Sequence, residues 1–252
     1  MRWHCQRLTG DRGIRGHADL LLNQPARQTV PVASDCGNQR VQGIICYDGE
    51  EKKLNAWTHL VGAVLALVGA VVLVVLAALD GDAWKLVSVS IYGVTLVLLY
   101  SFSAMYHSFR GRAKDILRKL DHQSIYLLIA GSYTPFCLVT LRGPWGWSLL
   151  GTVWGLAVLG GLQEMRPRND ARIVSLVIYI VMGWAVLVAL VPLLKALGAA
   201  GFVWVATGGV FYTVGIIFYA LDTRLPHAHG IWHLFVMAGS AAHYFAILFY
   251  VL

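Results

Sequence analysis

From Trp57 to Leu252 the chain is a succession of apolar runs, each about as long as a membrane crossing, separated by short polar breaks. Inside hydrocarbon no water reaches the backbone, so every N–H and C=O must be satisfied within the chain. A run of about 20 apolar residues does this as an α-helix. The pattern predicts spans over 57–79, 85–107, 121–141, 145–162, 173–194, 202–221 and 229–252. The breaks carry turn residues and charges, among them Asp80-Gly81-Asp82, the basic stretch Arg110 to Lys119, Arg142-Gly143-Pro144, Arg166 to Asp170, Gly198 to Gly201 and Asp222 to Pro226. Pro135 and Pro192 fall inside spans and are expected to kink them.

The expected fold class is therefore all-α, a polytopic membrane protein built as a seven-transmembrane helix bundle over residues 51–252. With 58% hydrophobic and 13% charged residues in a chain of 252, no material is left for a large soluble domain. Residues 1–50 are rich in Arg, Gln and Gly and lack sustained periodicity, so they read as a polar, disordered tail. That segment has no apolar core followed by a cleavage site, and a removable signal peptide is not expected. Cys5, Cys36, Cys46 and Cys137 show no C-x-x-C spacing and point to neither a disulfide framework nor a cysteine zinc site.

Charge sets the orientation. Of the 20 Lys and Arg, only Lys85, Arg142 and Lys195 fall on one side of the expected topology. Cytoplasmic loops carry the basic excess, which places the N-terminus in the cytoplasm and the C-terminus outside. The net charge of +7 is then accounted for by topology and anionic lipid at the inner leaflet. Membrane lipids are the expected partners, nucleic acid is not required, and oligomeric state is left open.

This topology brings a set of polar residues to one membrane face. The second span runs inward to His107, the third starts inside at Asp121, and the seventh starts inside with His229 and His233, which share a helix face. Ser103 lies one turn deeper than His107. Ionisable groups at such depths are costly and point to function. Three imidazoles without cysteine match a catalytic-type zinc site with one open position, although other divalent ions also accept nitrogen ligands. Asp121 would serve the bound water and Ser103 would orient the site. A site opening onto lipid suits hydrolysis of a lipid amide or ester. Against this, a His-x-x-x-His pair at a helix start is often interfacial, and serine in a membrane helix often bonds only to backbone. His59, at the start of the first span, reads first as a capping or interfacial residue and second as a polar contributor to the site. His243, ten residues beyond His233, lies about 15 Å deeper and reads as an interhelical hydrogen bond.

The motif blocks resemble those of the progestin and adipoQ receptor family, most closely its bacterial haemolysin III branch. The blocks are Asn55-Ala56-Trp57-Thr58-His59, Ser103-Ala104-Met105-Tyr106-His107 followed by Leu120-Asp121-His122, and His229-Gly230-Ile231-Trp232-His233. The resemblance implies a multi-pass protein of the bacterial inner (plasma) membrane. It also implies zinc held near the cytoplasmic face by His107, His229 and His233, with Asp121 on the metal's water and Ser103 in support. The wider superfamily includes alkaline ceramidases, which by analogy points to a lipid amide hydrolase. Two other readings stay open: a non-enzymatic receptor-like, transport or membrane-homeostasis protein with a structural metal, and the cytolysis of the family's name. Fold likeness does not choose among them.

If residues 1–45 are only a tail, deleting them leaves membrane insertion and metal content unchanged. Membrane fractionation and elemental analysis of the truncated protein check this, and loss of the folded protein would contradict it.

Overall fold

The computed structural model describes residues 49–165, 171–222, 224–225 and 227–252. Almost all of the expected tail, and part of the basic break after residue 165, lie outside the described residues. The chain divides into Met1–Glu51 and Lys52–Leu252, and the second unit carries everything that follows.

The described residues are almost wholly helical: α1 (Gly49–Asp80), α2 (Ala83–Ser108), α3 (Arg112–Pro135), α4 (Pro144–Glu164), α5 (Ala171–Trp184), α6 (Leu190–Leu221) and α7 (Ala228–Tyr250). Among them, five segments are long and apolar enough to cross a membrane: Leu54–Asp80, Ala83–Ser108, Pro144–Glu164, Ile173–Leu221 and Ala228–Tyr250. The chain is a multi-pass integral membrane protein.

Helix irregularities follow from backbone chemistry. Pro135 has no N–H to give to the preceding turn, and α3 passes there into a π-helical turn, Phe136–Thr140, closed by Leu141 N–H donating to the Phe136 carbonyl at 2.7 Å. Ahead of Pro192 the helix tightens into a 3₁₀ turn, Ala185–Ala189. Inside α6, Gly198 adopts φ 69°, ψ 173°, a left-handed backbone that interrupts the helix and that glycine enters without a side-chain clash. This break lies within the polar interruption expected at Gly198 to Gly201.

One expected boundary is corrected. The basic stretch before Asp121 is helix, because α3 begins at Arg112, directly after Gly111 at φ 71°. Lys, Arg, Ala and Leu are good helix formers. Their charge argues against hydrocarbon, not against helix, and Leu117 on this stretch is buried.

Packing follows the size of residues at the contacts. Tyr100 of α2 and Tyr244 of α7 seat against Gly62 and Gly69 of α1, where a Cβ would come within 2.8 and 2.9 Å of their rings. Small residues let membrane helices approach in this way. At mid-height the Tyr100 hydroxyl donates to Ser240 Oγ at 2.9 Å, and Tyr212 OH lies 2.9 Å from the same oxygen, joining α2, α6 and α7. Lys85 reaches the Leu252 carbonyl at 2.6 Å and Asp80 at 3.0 Å at the opposite end from His107. A second core forms between α3, α4 and α5 from Tyr126, Ala130, Ala157, Tyr179 and Met182.

The start of α4 rides directly on the π turn: a Cβ at Gly146 would collide with the Cys137 carbonyl oxygen and lie 2.6 Å from that of Leu141. Backbone cannot rotate away as a side chain can. Gly146→Ala is therefore expected to cost about 1–3 kcal/mol, read as a lower thermal midpoint in detergent. Gly151→Ala on the same helix, where the new Cβ meets nothing within 4 Å, should leave that midpoint unchanged or raise it.

Candidate metal centre

The end of α2 presents His107, and the first turns of α7 present His229 and His233. The turn into α7 is set by His227, a non-glycine residue at φ 61°, and the four-residue spacing then puts both α7 imidazoles on the face toward α2. One ligand atom from each of His107, His229 and His233 lies within 4.8 Å of the other two. The ring centroids are 5.3 Å apart for His107 and His229, 5.1 Å for His107 and His233, and 4.6 Å for His229 and His233. A tetrahedral centre with metal–nitrogen bonds of about 2 Å sets the centroids of its imidazoles about 5 Å apart, so the three rings fit a divalent metal.

Their hydrogen bonding supports the same fit. His107 Nε2 and both nitrogens of His233 are buried without a protein partner, and buried polar atoms are rarely left so. His229 Nδ1 lies 3.4 Å from an Asp222 carboxylate oxygen, which leaves Nε2 for a metal and sets the ring's orientation, as carboxylates commonly do for ligand imidazoles. The three residues could hold zinc or another nitrogen-accepting divalent ion.

Asp121 on α3 and Ser103 on α2 are both buried. They line a cavity of about 260 Å³ that is otherwise walled mainly by apolar side chains of α2, α3, α5, α6 and α7. His243, further along, sits with Nε2 3.2 Å from the Val205 carbonyl of α6, an interhelical contact as expected from its depth.

Sequence reasoning leaves Asp222 out of the site and gives His59 a part in it only as a second reading. Asp222 reads in the sequence as part of a polar break; its position at the end of a span, seven residues before His229, is the signal that points to it. His59 is 2% exposed, neither capping nor interfacial, and its ring lies 3.7 Å from that of His233. The signal for His59 is its place at the start of the first span, on the membrane face shared with the other polar residues.

This geometry can be set beside known proteins. A family model described as haemolysin-III related matches residues 49–244. The chain belongs to the haemolysin III family. It is 44% identical to Hemolysin-3 of Bacillus cereus over 204 residues, which covers 81% of this chain and 93% of that protein. It is also 44% identical to a Hemolysin-3 homolog of Bacillus subtilis over 202 residues, 80% of this chain and 94% of that one. More distantly, it is 31% identical over 209 residues to the human monocyte to macrophage differentiation factor, covering 80% and 84% of the two chains. The matched regions of this haemolysin III-family chain include α1, α2 and the start of α7, and so the metal centre's three histidines.

Removing the carboxylate beside His229 tests its role in the site. Asp222→Asn should weaken zinc binding about 10- to 100-fold with the protein still folded, measured by competition with a chromogenic chelator.

Proposed function

We propose that this haemolysin III-family protein is a metal-dependent membrane hydrolase of lipid amides or esters, with zinc held by His107, His229 and His233. The reading is carried by an apolar cavity lined by the buried Ser103, Asp121 and His59, with the His59 ring 3.7 Å from that of His233 in the three-imidazole cluster. Access supports it as well. Ile180, Trp184, Leu187 and Val210 line the cavity, yet each is more than 40% exposed. The wall between α5 and α6 thus borders lipid, and an acyl chain can enter sideways.

The topology belongs to the same reading. Besides the other four apolar segments, α3 with its π turn reaches from Asp121 to Leu141 and supplies a crossing. The 49 residues of Ile173–Leu221 extend about 74 Å as helix, more than two hydrocarbon thicknesses of about 30 Å, and Gly198 divides them. Seven crossings result, with the N-terminus in the cytoplasm by the Lys and Arg distribution and the metal on the cytoplasmic side of the plasma membrane.

When bound, a divalent metal at this position supplies Lewis acidity, polarising a carbonyl and easing deprotonation of water. The chain's residues do the rest. The Asp121 carboxylate takes a proton from water as its oxygen bonds to the carbonyl carbon. As the carbon–nitrogen or carbon–oxygen bond breaks, Asp121 returns that proton to the leaving amine or alkoxide. Ser103 holds the carboxylate in the orientation this requires. The apolar wall binds the acyl chain and excludes bulk water.

A receptor-like, transport or homeostasis protein with a structural metal is the second reading, and the fully buried His233 suits it. Cytolysis, which the relatives' names carry, would call for a polar, water-filled passage, and the largely apolar lining here is of the opposite kind.

Elemental analysis of purified protein should give near one zinc per chain, and little in a folded His229→Ala, His233→Ala variant. Asp121→Asn should keep the metal and lose at least 100-fold in turnover of a lipid amide or ester. Retained metal with unchanged function would favour the structural-metal reading, and a folded parent that takes up no metal even after reconstitution would remove the hydrolase reading.

A further inference from the structure

α1 contributes a fourth imidazole to this region, and its placement differs from that of the other three. The His59 ring centroid is 3.7 Å from that of His233 but 6.4 Å from that of His107. Imidazoles sharing one tetrahedral metal sit about 5 Å from each other. His59 is too close to one ring and too far from the other, so it packs against a ligand ring, tilted by 43° to it, instead of completing the shell. Yet both its nitrogens are buried without any hydrogen-bond partner, and packing alone satisfies neither. Tyr100 approaches its ring edge-on, with centroids 5.4 Å apart.

Position distinguishes His59 from its neighbour one turn earlier. Asn55 is also buried with its amide oxygen unpartnered, but it packs at Gly230 and takes no part in the cavity wall. His59 does line the cavity, together with Ser103 and Asp121. An unpartnered, buried imidazole that lines an otherwise largely apolar cavity beside Ser103 and Asp121 is placed to meet the polar end of an amphiphile.

We propose that His59 is a head-group residue: its ring packs on His233 and one ring N–H donates to a carbonyl or carboxylate oxygen of a single-chain amphiphile whose tail occupies the cavity. The proposal rests on the lipid-hydrolase reading above. It adds the residue that holds the substrate's oxygen from the α1 side, opposite Asp121. His59 binds no metal in this arrangement.

The test uses the full chain in dodecylmaltoside, loaded with zinc for binding and with cobalt(II) for spectroscopy. The probe is 11-(dansylamino)undecanoic acid, and N-undecyl dansylamide serves as its headless control. His59→Phe keeps an aromatic ring and removes both nitrogens; His59→Met is a second nitrogen-free variant should the first not fold, and His59→Gln restores a donor. The nitrogen-free variants should keep one metal per chain and the parental cobalt spectrum. They should bind the acid about tenfold more weakly, as expected for loss of one hydrogen bond to a charged group, and the headless control as the parent does. His59→Gln should recover part of the loss. Unchanged binding of the acid in a metal-loaded nitrogen-free variant would overturn the proposal alone. Lost metal or a changed cobalt spectrum would overturn it too, by making His59 a ligand or a strut for His233. A folded parent that takes up neither metal nor acid would remove the hydrolase reading and this one with it.

Discussion

Among the described residues, imidazoles buried without partners are a costly arrangement, and α1, α2 and α7 together hold them. A buried polar atom left without a hydrogen bond costs about 1–3 kcal/mol, and His59, His107 and His233 all carry such nitrogens. The helices must offset that cost through packing in any state without a ligand. On the proposed reading, a cation held by His107 and His233 would satisfy nitrogens of those two rings, so that metal binding would add to stability.

What holds α1, α2 and α7 in register is a pairing of small and large residues. Tyrosines of α2 and α7 fill spaces left by α1 glycines, and the Tyr100–Ser240–Tyr212 hydroxyl cluster ties α2, α6 and α7 halfway along. Near the metal centre a second set of polar links reaches α5. Glu164 accepts from Ser175 at 2.8 Å and pairs with His122 at 2.7 Å, while the Tyr179 hydroxyl donates to the His122 carbonyl at 3.0 Å. These contacts anchor the first half of α5 to α3 and α4 beside Asp121, whereas further along α5 the cavity wall is exposed.

Much of this was legible before any coordinates. Apolar run length marked the helices, and Gly198 and the two prolines marked their irregularities, because backbone chemistry acts locally. His107, Asp121, His229 and His233 could be grouped because an inside-outside alternation assigns helix ends to faces without any knowledge of packing. The start of α3 was misplaced for an opposite reason. Charge was used as the sign of a break, and the Arg112 to Lys119 stretch is charged yet helical. Asp222 escaped, and the site role of His59 ranked second, because both depend on which way a side chain turns, and hydropathy patterns carry no such information.

By itself, then, the amino-acid sequence determined that this chain is a helical membrane protein and which histidines could meet, since solvation in hydrocarbon and the period of a helix are properties of short segments. Only the tertiary structure decided that those rings stand at metal-binding separations, that Asp222 faces His229, and that His59 packs against His233 beside the cavity. Those distances depend on how helices from both ends of the chain rotate and close on one another. Side-chain volumes set that across interfaces no single segment contains.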